Sequence, residues 1–158
     1  MKGIQSIFLV TLVLSGCQCA SDLKNVESLS SDIDLKGAYF PDAITKSEVP
    51  GFSYNPKATL IIDTDSTFVI DRFPASALNF NDYYDNNTEG VKGYGSWSFY
   101  NDGRSTDINV NLHYTYLSDS TTNSFATAWK LTKKDGEYYI YYSVGDPDEC
   151  NPVRLKRN

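Results

Sequence analysis

The chain has 158 residues, a net charge of −6, 14% aromatic residues and only three cysteines. The acidic balance argues against nucleic acid and against electrostatic docking on anionic lipid. Beyond residue 16 about 140 residues remain, enough for one domain with a single core.

Lys2 precedes an apolar run from Ile4 to Leu14, broken only by Gln5, Ser6 and Thr11. Its length is that of a secretory leader, roughly 7–15 residues, and too short for a bilayer core of about 30 Å. The run ends in Leu14-Ser15-Gly16-Cys17, which resembles the lipobox of bacterial lipoproteins. The resemblance implies a signal peptide over residues 1–16, a diacylglycerol-modified Cys17 as first mature residue, and attachment to the bacterial cell envelope without a membrane span. Gln18 after the modified cysteine, in place of Asp, implies the outer membrane, facing the periplasm or the cell surface.

With Cys17 lipidated, Cys19 and Cys150 remain. In an oxidising compartment they form a candidate disulfide. The alternative is a free thiol on the tether and a half-buried turn cysteine. Residues 17–33, rich in Ser and Asp, read as a flexible tether, with a short helical turn near Leu23–Leu29 left open.

Residues 34–158 read as all-β. Asp34–Phe40 is the first strand, closed by Pro41. Ala58–Asp63 and Ser66–Asp71 flank an Asp-Thr-Asp turn and form a hairpin. Ala75–Phe80 suggests one helical turn, and the polar stretch Asn79–Gly93 a long loop. Gly95–Tyr100 places Trp97 and Phe99 on one face. Asp107–Tyr116 alternates Ile108, Val110, Leu112, Tyr114 and Tyr116 with Asn109, Asn111, His113 and Thr115, so one face is buried and one wet. Phe125–Thr132 follows. Lys134-Asp135-Gly136 then turns the chain into Glu137–Val144, apolar on both faces and therefore central. Gly145-Asp146-Pro147-Asp148 leads to a final strand, Pro152–Arg157.

About eight such strands predict a single antiparallel meander, either a closed barrel or a strongly curved sheet. Leu35-x-Gly37-x-Tyr39, the hairpin Ile62–Phe68, Gly95-x-Trp97 and Gly145-Asp146-Pro147-Asp148 together are similar to the lipocalin-like small barrels of bacterial lipoproteins. That resemblance names no ligand.

No nucleophile–base arrangement can be assigned around His113, the single histidine, and no enzyme is expected. The acidic pairs Asp63/Asp65 and Asp146/Asp148 lack a calcium-loop spacing and suit turn chemistry. No metal or cofactor is expected. The aromatic series Trp97, Tyr114, Tyr116, Trp129, Tyr139 and Tyr141 either fills the core or lines a cavity open at one mouth. Two functions follow as expectations. One is a binding or envelope-accessory role with a small apolar or carbohydrate ligand. The other is an immunity or inhibitor role against a secreted toxin or hydrolase.

Overall fold

The computed structural model describes residues 22–28, 34–117, 121–146 and 149–158. The leader, Cys17 and Cys19 lie outside them. β2 (Gly37–Pro41), β3 (Thr59–Ile62), β4 (Thr67–Pro74), β5 (Gly90–Asn101), β6 (Thr106–Tyr116), β7 (Thr122–Lys134), β8 (Glu137–Val144) and β9 (Asn151–Arg157) pair in chain order, all antiparallel. β9 then pairs with β2, Leu155 opposite Pro41 and Arg157 opposite Tyr39, and closes an eight-stranded barrel. A ninth strand, β1 (Lys24–Asn25), lies against Lys133 and Thr132 of β7. Closure removes the edges that an open meander would expose.

Alternation decides what the barrel contains. On β6, Ile108, Val110 and Leu112 are buried and Asn109, Asn111 and His113 exposed. On β5, Gly93, Gly95, Trp97 and Phe99 take the inner face. Gly95 has no room for a side chain: a Cβ there would meet the Asn111 carbonyl at 2.1 Å and the Phe68 ring at 2.7 Å. The Phe68 ring fills that space and reaches Trp129, 6.0 Å away between centroids. Trp129 in turn stacks on Tyr142 at 4.8 Å. The interior is filled by side chains rather than left as a cup.

One end of the barrel is plugged. A 3₁₀ turn (Ala75–Ala77) and α2 (Phe80–Tyr84) turn inward after β4, with Ala75, Ala77 and Leu78 buried. The expected loop Asn79–Gly93 is thus a capped helix followed by the start of β5. Pairing of Gly90, Val91 and Gly93 with β4 and β6 outweighs the poor strand propensity of glycine. α1 (Ala43–Glu48), which the sequence reading lacks, starts at Asp42, whose side chain accepts from the Thr45 N–H at 2.9 Å. It covers the outer face of β9.

Residues 22–28 are likewise not a free tether. Leu23 is buried, and the Val26 N–H donates to Leu131 O at 3.1 Å. Asp22 pairs with Lys134 and, at 2.8 Å, with Arg154. The Lys134 hydrogen bond comes first among the causes holding the Asp22 carboxyl below its usual value of 3.8, and the nearby Arg154 charge adds to it. A depressed carboxylate contributes stability that is present above the unfolded value and lost as pH falls through the folded one. The protection of the Val26 amide against exchange should therefore fall selectively once pH drops below the usual carboxylate range, with β6 still protected. Equal acceleration in both elements would show that Asp22 does not hold this strap. The carboxylate is half exposed, so screening keeps the effect local.

Candidate ligand cleft at the plugged end

β7 and β8 leave the Lys134-Asp135-Gly136-Glu137 turn as a tight hairpin, with Asp135 at φ 52° and Gly136 at φ 88°. They stay paired only from Lys134–Glu137 to Lys130–Tyr141. Beyond that point Thr122–Trp129 follows β6, and Tyr142–Val144 follows β9. The wall parts, and Leu78, Asn79 and Phe80 of the plug come up behind the opening. The resulting cavity holds about 280 Å³ between Phe80, Phe125, Trp129, Tyr142 and Val144. On the other side of Phe125 lies a second cavity of about 460 Å³, lined by Asn79, Asp82, Tyr114, Tyr116 and Asn123.

Most polar atoms here are committed to holding the plug. Asp82 Oδ1 accepts from the Tyr116 hydroxyl at 2.6 Å and from Asn87 Nδ2 at 2.8 Å. Asn79 Nδ2 donates to Asp82 Oδ2 and to the Tyr114 hydroxyl. Asn79 Oδ1 caps α2 by accepting the Asp82 N–H at 2.9 Å. The Tyr142 hydroxyl donates to Ala77 O at 3.0 Å. Burial pushes all three tyrosine hydroxyls above their usual value, and the neighbouring Asp82 carboxylate pushes Tyr116 further. They work as neutral donors and acceptors.

Among the described residues, two that line the cavities each hold a donor without a partner, Trp129 Nε1 and Asn123 Nδ2, and both atoms are buried behind the cavity walls. A buried N–H left unpaired costs about 1–3 kcal/mol. The cavity walls themselves are mostly aromatic and apolar in the first cavity and polar in the second.

The structure divides the aromatic series read from the sequence. Trp129, Tyr114 and Tyr116 line the two cavities. Trp97 lies on the inner face of β5 opposite Val110, and its Nε1 donates to Thr67 O at 3.2 Å, away from the opening. Tyr139 and Tyr141 point outward, because on β8 the inner face belongs to Tyr138, Ile140, Tyr142 and Val144. Tyr139 is buried by Arg154, whose guanidinium lies 5.8 Å from its ring centroid. These two tyrosines are not cavity residues.

His113 is exposed on the outer face of β6, its ring 5.9 Å from that of Tyr94. Asp63 and Asp65 bond the turn amides of Thr64 and Thr67 at 2.7 and 3.0 Å. Among the described residues no group of three or more His, Cys, Asp or Glu is placed to hold a metal ion. Cys150 is disulfide-bonded; the chain's other cysteines, Cys17 and Cys19, fall outside the described residues.

Sequence reasoning singled out neither Asn79 and Asp82 nor Asn123, whereas Tyr142 lies in its aromatic run Tyr138–Tyr142. A signal existed for the first pair: Asn followed three positions later by Asp is a helix-start pattern. Comparison with known protein families, characterised proteins and solved structures finds no match to this chain.

Proposed function

We propose that this protein is an extracytoplasmic lipoprotein, acylated on Cys17 and anchored in the bacterial envelope. Its domain binds a small neutral ligand without transforming it. The observation carrying the binding role is the pair of adjoining, aromatic-walled cavities, whose lining residues Trp129 and Asn123 each hold a donor without a partner. Turned toward the cavity, either donor meets an acceptor of the ligand: a hydroxyl, ether or amide oxygen. The Asp82 carboxylate and the net acidic charge disfavour an anion. Phe80, which is 60% exposed, and Phe125 offer flat faces for the apolar side of such a molecule, as a sugar or a small amphiphile would present.

Native mass spectrometry of the full lipoprotein, released gently from the source envelope, tests this reading. A small-molecule adduct is expected on the parent protein and should be lost from a Trp129→Phe/Asn123→Leu double variant. A bare parent, or an adduct that the double variant retains, would overturn it.

A second reading, a partner protein held as an immunity protein holds its toxin, draws on one feature of the outer face. Ile61, Val69, Tyr94 and His113 lie in cross-strand register over four strands, and all are exposed. A co-purifying protein displaced by Tyr94→Asp would favour it.

A further inference from the structure

The two ends of the barrel differ in a way the binding role does not require. At one end the turns 63–66, 102–105 and 135–136 read Asp-Thr-Asp-Ser, Asp-Gly-Arg-Ser and Asp-Gly. The plugged end carries the segment 42–58, the plug, Leu117 after β6, and the turn between β8 and β9. Tyr54, Phe80, Tyr84 and Leu117 sit there with 78, 60, 46 and 53% of their surface exposed. Among the described residues the other large exposed apolar side chains, Ile61, Val69, Tyr94 and Tyr100, lie on strands, and of these only Tyr100 is next to a turn of the opposite end. Phe80 and Tyr84 touch, with centroids 4.6 Å apart.

We propose that the plugged end rests on the bilayer surface, with these aromatic side chains at the headgroup level. The proposal relies on the acylation of Cys17 in the proposed function. Cys150 belongs to this end, between β8 and β9, and is disulfide-bonded. Its neighbour Glu149 accepts from the Tyr83 hydroxyl of α2 at 3.2 Å. A bridge within the chain needs Cys17 or Cys19 as partner. With Cys19 in the bridge, the acylated residue is two positions away. At about 3.5 Å per residue, plus about 6 Å across a disulfide, its Cα can stand no more than about 13 Å from that of Cys150. Such a leash leaves no room for the domain to stand off. The face around Cys150 must meet the lipid, and that is the face carrying Tyr84 and Phe80.

Aromatic rings with one apolar and one polar side suit the membrane interface. Asp82, Asp85, Asp146 and Glu149 share the same end. They select a zwitterionic surface over an anionic one. The ligand cavities also open at this end, so their ligand would enter from the interface.

Full-length protein carrying Phe80→Trp, or Thr64→Trp at the opposite end, can be reconstituted into phosphatidylcholine vesicles containing brominated phosphatidylcholine. The emission of the parent protein, with Trp97 and Trp129, is subtracted. Quenching of the added tryptophan at position 80 should exceed that at position 64 several-fold, and Tyr54→Trp should repeat it if Phe80→Trp fails to fold. Intact mass is read on the same sample. With Cys17 acylated, equal quenching at the two ends, or stronger quenching at position 64, overturns this orientation and leaves the lipoprotein reading intact. Absence of acyl mass, as when Cys17 itself is the bridged cysteine, overturns the lipoprotein reading and this orientation together.

Discussion

Trp129→Ala is expected to lower the unfolding free energy by about 3–5 kcal/mol, the range for truncating a fully buried aromatic side chain. Trp129 is 2% exposed, stacks on Tyr142 and meets Phe68. It is the side chain through which β7 joins the interior at the point where β7 and β8 separate. Against a total of about 5–15 kcal/mol for a domain, that loss is a large fraction. Trp129→Phe should cost far less, about 1 kcal/mol. The smaller ring gives up contacts, but the unpartnered Nε1–H disappears with its desolvation penalty. Urea midpoints at constant m-value measure both. A loss below about 1 kcal/mol for the alanine variant would mean that this end of the barrel is not packed and that the cavity runs on into the interior.

The strands were legible where pattern is local. Residues Ile108 to Leu112 announce their faces by period two, and the Asp135-Gly136 turn announces its hairpin. Closure was legible only as one of two alternatives. The ladder that decides it joins Tyr39 to Arg157, at opposite ends of the barrel's sequence, and no short window records such a pairing. The cleft was the least legible. The alternation of β7 runs unbroken from Asn123 to Leu131, and nothing in it says that β8 is abandoned at Lys130. Tyr139 and Tyr141 misled for a related reason. Apolar residues on both faces of β8 do mark it as covered on both sides, but the outer cover is Arg154 and the N-terminal strap rather than a ligand. The same strap was hidden by its polar composition. Its hold on the barrel comes from Leu23, Val26 and the paired Asp22 rather than from any strand-like run.

Arg154→Met is expected to cost about 3 kcal/mol, and more than the loss of its surface contacts would suggest. Arg154 is 5% exposed, yet it stands on the outer face of β9 beneath α1 and the strap. Its Nη1 lies 2.8 Å from Asp22 and its Nε 2.8 Å from Asp42 Oδ2. The Nε makes an ion pair without the alignment of a directed hydrogen bond, so it counts as charge rather than geometry. Thr45 ties the same place together: its N–H bonds Asp42, and its hydroxyl meets both the N–H and the carbonyl of Arg154. Removing the guanidinium strands the Asp42 carboxylate, which is only 16% exposed, and a buried charge deprived of its partner is what makes such substitutions severe. Asp42→Asn keeps the cap of α1, since Asn serves that position as well as Asp. In the Arg154→Met background it should therefore restore about half of the loss, although alone it destabilises. A double-mutant cycle on unfolding free energies measures this coupling. Strict additivity would show that Arg154 does not act through Asp42. Recovery would show that one buried cation joins β9 to α1.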